Sequence, residues 1–414
     1  MASQKSWCNK FYLESNVSKD FCRLDYWLIS NNLQDLVIST DICPAIKTDH
    51  AAIIIEFGSK DNQVKGPGLW KMNCSIFEEE SYMNDVTRKI PIWVAEGQKE
   101  LADNQTTWEW IKYNIRARAI QYSKRRAKEK SDKEKCLQNE YTHASKLYES
   151  DPCDANVNLF HAAKEKLELF YEEKTKGITI RARARWYEHG EKSTKYFLNV
   201  EKRNHIKKHM RKLTINESVT TDSATILSEQ KLFYQNLYMS GRNETDNRHA
   251  AKSFLNNLNI PKLSEEEKQS CEGKVLLNEY DLILETFQNN KAPGNDGIPV
   301  EFYKKLWPLI SEPFIKCVNE CFENKELSSS QKQAVITLIE KKGKDRTLLE
   351  NWRPISLLNV DTKIMSKVIA SRLKNVLPNI IHYNQTGFIK DRYIGETVRS
   401  IFDIMEFTLK ENIP

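Results

Sequence analysis

The chain has 414 residues, of which 63 are basic and 57 acidic, giving +6 overall with 40% hydrophobic and 29% charged content. That length supports two or three domains with a sizeable core. Nine cysteines, an odd count without any CxxC pair, suggest neither a disulfide framework nor a zinc site. With no signal peptide and no run of about eighteen apolar residues, the sequence is expected to be neither secreted nor membrane-spanning, but intracellular, nuclear or cytoplasmic.

Residues 1–58 hold short β-like runs. "CRLDYWLIS" alternates apolar and polar positions, and "AAIIIEF" is a β-branched run ending at Gly58, expected as a buried strand. "VKGPGLW" breaks the pattern and marks a boundary. Residues 59–264 are rich in helix formers and poor in glycine and proline, which predicts long exposed helices, a helical hairpin or a coiled arm. Two windows there concentrate positive charge: 112–130 is net +7 and 181–212 is net +8. Such windows attract phosphate backbones, although a solvated helix face is an equal alternative for either. Arg125 and Arg126 stand in the first. Arg181, Arg183, Arg185, Trp186, Lys207 and Lys208 stand in the second, where aromatics interleave with cations as in single-strand binding surfaces.

From residue 265 the texture changes. Tyr280, Ile283, Leu284 and Phe287 repeat at helical spacing with Asn278 as the expected N-cap. "KAPGNDGI" ends that helix at Pro293 and supplies glycines for an unusual turn, with Asn295 and Asp296 able to cap it. A helix over 313–325 is expected to bury Phe314, Cys317, Val318, Cys321 and Phe322. "QAVITLIEKKGKD" reads as a strand entering a glycine turn, and "WRPISLLN" as extended chain, because Arg353 precedes proline. A helix capped by Asp361 follows, with Lys363 and Arg372 expected on its solvated side. A loop holds Gly387 and Gly395. The last helix is expected to bury Val398, Ile401, Phe402, Met405 and Leu409.

Taken together and in order, "KAPGNDGIPVEFYKKLW", "ITLIEKKGKD", "NWRPISLLNVDTKIMSKVIASRL" and "NQTGFIKDRYIGE" resemble the fingers-side motifs of reverse transcriptases from LINE-type (non-LTR) retrotransposons. "RLDYWLIS" followed by "TDHAAIIIEF" resembles the C-terminal end of an apurinic/apyrimidinic-endonuclease-like domain, the upstream enzyme of such polyproteins.

The resemblance implies an α+β, predominantly helical chain in three parts. These are an endonuclease α/β-sandwich remnant (1–58), a basic helical linker (59–264), and the fingers and start of the palm of a right-hand polymerase (265–414). It assigns Asp25, Asp49 and His50 to the endonuclease catalytic positions. Lys341, Lys342, Arg353, Gln385, Gly387 and Phe388 are assigned to template and nucleotide binding, with a structural ion pair the alternative for Arg353 and a turn with buried Phe388 the alternative for the last three. It implies RNA template and DNA target or primer as partners, no membrane, and Mg2+ as cofactor. The palm carboxylates of the family have no match, because Asp403 reads as the polar side of a helix and Asp296 as a loop residue. The chain is therefore expected to be a catalytically inactive piece of an RNA-directed DNA polymerase, with nucleic-acid binding alone as the alternative.

Overall fold

The computed structural model describes residues 13–15, 18–22, 27, 29–43, 52–58, 68–182, 210–239, 251–256, 258 and 261–412. These are predominantly helical, and the strands form four two-stranded antiparallel sheets. The chain divides into two compact units. One comprises 1–68 with 126–209, the other 69–125 with 210–414.

In the first unit, β1 (Leu13–Ser15) pairs with β2 (Ser18–Cys22), and β3 (Val37–Cys43) with β4 (Ala52–Phe57). The "AAIIIEF" run is the strand expected, but it is not buried. Ile53, Ile54 and Ile55 are only half-buried and Phe57 is exposed, because a two-stranded ladder leaves both faces open among the described residues. Its other described residues form a helical hairpin from the part of α2 (Asn104–Ser150) beyond residue 125 and α3 (Asp154–Ala182). Contacts step down α2 as they step up α3: Tyr148 stacks on Phe160, Lys166 faces Glu140, Gln138 bonds Tyr171, and Lys174 bonds Glu134. The helices are therefore antiparallel, with Ala144, Ala163 and Leu167 as the buried seam.

The second unit carries the main core. It draws on α1 (Glu80–Glu100), the start of α2, α6 (Leu277–Glu285), α7 (Val300–Asn324) and α8 (Val360–Ile380). Smaller elements complete it: β5 (Leu213–Ile215) and β6 (Ser218–Thr220), α4 (Ser223–Tyr238), and α5 (Glu265–Cys271), which opens on a Ser264–Glu267 capping box. Trp108 of α2 is fully buried, its ring 5.2 Å from Phe314 and 6.4 Å from Tyr303 of α7. Residues 69–125, read from composition as part of a linker, thus share one apolar core with the C-terminal helices.

Several local expectations change. The 313–325 helix is the second half of the 25-residue α7, which carries Pro308 and Pro313 inside it; Cys317 and Cys321 are buried as expected, but Phe322 is exposed. The N-cap of α6 is Leu276, whose N–H donates to Glu279 at 2.9 Å, not Asn278. Asn359 holds the cap position of α8, and Asp361 lies inside its first turn, accepting from the Thr362 N–H at 2.7 Å. Arg372 is not on a solvated face. Its guanidinium grips Glu279 through two nitrogens, at 2.7 and 2.8 Å, and also donates to the carbonyls of Glu272, Gly273 and Lys274. The last helix, α9 (Ile394–Lys410), buries none of its residues, because no described element packs on its apolar side.

Candidate nucleic-acid interface

The glycine turn expected at the end of "QAVITLIEKKGKD" lies at the tip of a hairpin formed by β7 (Ala334–Glu340) and β8 (Trp352–Leu358). Its ladder runs from Ala334 opposite Leu358 to Glu340 opposite Trp352. The tip is braced from two sides. Trp352 is buried and its indole N–H donates to the Arg346 carbonyl at 2.9 Å, while Thr214 of β5 donates its backbone N–H to the Thr347 carbonyl at 2.9 Å. Lys341 is spent on this brace, its ammonium donating to the Glu350 carbonyl at 2.7 Å. Lys342 and Arg353 are exposed. Arg353 lies opposite Ile339 and has no ion-pair partner among the described residues, so the structural ion pair considered for it is absent there. Pro354 in β8 removes one ladder donor, as an edge strand tolerates.

The loop 381–393 is built around Arg392. Its guanidinium donates to the carbonyls of Pro378, Ile381, His382 and Gln385 at 2.6–3.0 Å, satisfying the free end of α8. That clamp fixes the turn in which Phe388 takes φ +63° and projects its whole ring into solvent. The alternative of a buried Phe388 is thereby excluded. Gln385 is exposed, and Gly387 has open space around it.

The KAPGNDGI loop is held from both sides. The Gly297 carbonyl accepts from the Met72 N–H at 3.0 Å, and the Asp296 N–H donates to Asn359 Oδ1 at 3.2 Å. Gly297 sits at φ +74°, where a Cβ would come within 2.5 Å of the Trp70 carbonyl oxygen; at Gly294 it would collide with Asn359. Asp296 Oδ1 accepts from the Ile298 N–H at 3.0 Å, the turn-capping role expected of it.

Beside this loop lies a buried charge network that the sequence pattern does not announce. Lys112 of α2, 3% exposed, places its ammonium 2.8 Å from Asp361 Oδ2, and that carboxylate is fully buried. The Trp108 indole donates to the same oxygen at 3.0 Å. Glu109 stands 3.4 Å from the ammonium and accepts from Ser328 and the Ser330 N–H. Burial disfavours the charge on Asp361, but the Lys112 ammonium and the Trp108 N–H outweigh it and hold the carboxyl below its usual range. Burial equally opposes the Lys112 charge, and the carboxylates of Asp361 and Glu109 outweigh it. Asp296 shows the reverse balance. Burial, then the charge of Asp361, push its carboxyl up to about 7, and its Oδ2 has no hydrogen-bond partner among the described residues.

The resemblance implies Mg2+. Among the described residues no group of three or more His, Cys, Asp or Glu is placed to hold a metal ion. Asp296 and Asp361 lie in each other's field, but the Lys112 ammonium already supplies the cation there, so they do not fit a divalent ion.

The window 112–130 is largely engaged within its own surroundings. Lys112 is buried, Arg116 lies over the Trp70 ring at 5.4 Å, Arg118 pairs with Asp85, and Lys130 faces Glu173 at 3.9 Å. Arg125 is exposed and lies over the Tyr122 ring at 4.9 Å; Arg126 is half-buried. Arg181 falls in the last turn of α3. Arg183, Arg185, Trp186, Lys207 and Lys208 lie outside the described residues, as do Asp25, Asp49 and His50.

Residues 339–408, which span the hairpin tip, α8, the Arg392 loop and most of α9, match the family "Reverse transcriptase (RNA-dependent DNA polymerase)". The chain is similar to the "Transposon TX1 uncharacterized 149 kDa protein" of Xenopus laevis, at 27% identity over 94% of this chain and 29% of that protein. It is also similar to the "Putative 115 kDa protein in type-1 retrotransposable element R1DM" of Drosophila melanogaster, at 26% identity over 30% of this chain and 12% of that protein. The chain thus spans less than a third of the length of either relative. No described helix is long and apolar enough to cross a membrane.

Proposed function

From a reverse transcriptase region at residues 339–408 in a chain similar to two transposon proteins, we propose that this protein handles nucleic acid for a LINE-type retrotransposon. In this reading its second unit contains the fingers and the start of the palm of an RNA-directed DNA polymerase, whose role is target-primed reverse transcription. The observation that carries it is the tip of the β7–β8 hairpin, which with β8 falls in the matched region, where Lys342 and Arg353 are exposed and Trp352 and Thr214 brace the turn. Guanidinium and ammonium groups held on a rigid ladder suit the phosphates of a template or an incoming nucleotide. Phe388, fully exposed on the turn that Arg392 clamps, offers a face on which an unpaired base stacks.

The N-terminal stretch with Asp25, Asp49 and His50 belongs, in the same reading, to an endonuclease that nicks the DNA target. A second reading, in which the chain binds nucleic acid without polymerising, draws on the same exposed cations of the hairpin tip. Retention of labelled single-stranded RNA by the full chain, measured as salt is raised, tests the common part. Affinity should fall steeply with salt, and Lys342→Gln with Arg353→Gln should flatten the dependence. A salt-independent signal overturns both readings. Primer extension with Mg2+ or Mn2+ separates them: extension supports the polymerase reading, and binding without extension supports the second.

A further inference from the structure

A cleft of about 320 Å³ opens between the end of α6, the loop that follows it, and the first turns of α8. Its walls are apolar where Phe287, Val300 and Val360 line it. Three lysines enter it: Lys291 from the loop, and Lys363 and Lys367 one turn apart on α8. Lys367 lies 4.5 Å from the centre of the Phe287 ring, and among the described residues the Lys363 ammonium reaches only the Ala292 carbonyl, at a long 3.4 Å. None of the three forms an ion pair with a carboxylate among the described residues. Burial pushes the Lys363 ammonium below its ordinary range, and the charge of Asp296 offsets this only in part.

Lys363 and Lys367 are half-buried against the apolar wall and have given up some water, while Lys291 is exposed at the mouth. The arrangement is favourable when an anion joins it. The anion is a phosphate, because compact ammonium groups on flexible stems act as point charges toward phosphate oxygens and read no base. The cleft stands at the lower end of the range for ligand pockets, roughly 300–1,000 Å³, which is more room than one inorganic phosphate requires.

We propose that Lys291, Lys363 and Lys367 form a phosphate-binding cleft that holds the backbone of a single-stranded nucleic acid beside the KAPGNDGI loop. This rests on the nucleic-acid reading given above and adds a site to it that lies outside the hairpin tip. Phe287 backs Lys367 and keeps its charge directed into the cleft. Lys363, expected from helical periodicity on a solvated face, becomes a contact residue.

The test is the salt dependence of single-stranded RNA binding by the full chain and by Lys363→Gln/Lys367→Gln. Removing one lysine–phosphate interaction should reduce the slope of log K against log salt by about 0.7 for a single strand, so the double variant should show a slope shallower by roughly 1.4. Lys291→Gln, in an exposed loop where folding is not at stake, should flatten it by about half that. Lys363→Arg/Lys367→Arg should keep the parent slope, and its melting curve should match that of the parent. If the parent binds RNA and the Gln variants keep its slope, the cleft is not a strand site, while the broader reading stands. If the parent does not bind RNA at all, both fall. Competition with inorganic phosphate and with a nucleoside triphosphate separates the sources. Should the Gln variants lose binding of those small anions while strand binding is unchanged, the cleft takes a free phosphate and the strand proposal is overturned.

Discussion

Lys112 and Asp361, 249 positions apart in the chain, meet at 2.8 Å inside the core with almost no solvent contact. Removing one member of a buried pair leaves the other charge stranded, at a cost of about 3–5 kcal/mol. Lys112→Met and Asp361→Leu should each lower stability by that order in urea unfolding. The double variant should cost far less than their sum, since replacing both ions with apolar groups is often close to neutral. Strict additivity would show that the pair is not coupled.

The neighbouring Asp296 makes stability depend on pH in the opposite sense to Asp361. Its carboxyl is raised to about 7 in the folded state, against about 3.9 in the unfolded chain. Its protonated form favours folding at low pH. That contribution is lost as pH rises from about 4 to about 7, at roughly 1.4 kcal/mol for each step of one in pH. Asp361 is depressed, so its contribution is present above about pH 4 and lost in acid. Asp296→Asn keeps the acceptor for the Ile298 N–H and cannot ionise. Thermal unfolding of this variant should depend less on pH between 5 and 8 than that of the parent, and it should be the more stable of the two at pH 8. Equal slopes would refute this.

Arg372 ties α8 to α6 through Glu279, and to the segment between α5 and α6 through a row of carbonyls. Arg372→Ala should cost about 2–3 kcal/mol, the worth of a charge-assisted bidentate contact in a partly buried site. Arg372→Lys should not restore it, because an ammonium cannot span both carboxylate oxygens and the carbonyls at once. Recovery of the parent melting temperature by lysine would mean that charge alone matters.

The apolar side of α9 predicts a surface property. Ile401, Phe402, Met405 and Leu409 are each more than half exposed. A contiguous patch of this kind binds hydrophobic dyes and promotes association. Phe402→Ser with Met405→Ser should lower dye fluorescence several-fold and leave the melting temperature unchanged. A matching fall in stability would show that the face is packed in solution.

How much of this was legible depends on where each charge falls relative to its helix. The β7–β8 hairpin, α8 and the Asx turn at Asp296 follow from periodicity and turn chemistry, and they stand where the sequence pattern puts them. Lys112 counts among the basic residues of its window, yet Trp108, Ile111 and Ile115 put it on the apolar stripe of α2. Asp361 sits likewise among Ile364, Met365 and Val368. Two opposite charges, each on the wrong face of its helix, were a readable sign of a buried pair, although not of which partner each would take. The Lys363–Lys367 cleft could not be read, because the α8 pattern gives no hint that Phe287 closes over its polar side. Nor could the exposure of α9, since amphipathicity reports a face able to be covered and not whether something covers it.

The Lys112–Asp361 pair also sets a schedule for making the protein. A ribosome adding about 5–20 residues per second needs roughly 12–50 s to travel from one to the other. During that interval Trp108 and its neighbours have emerged, but the helices that enclose them have not. The early segment must wait, open to chaperones or to its own kind, until the late one arrives. A gene cut between residues 125 and 300 should therefore give two insoluble halves when they are expressed apart, and a soluble assembly when they are expressed together.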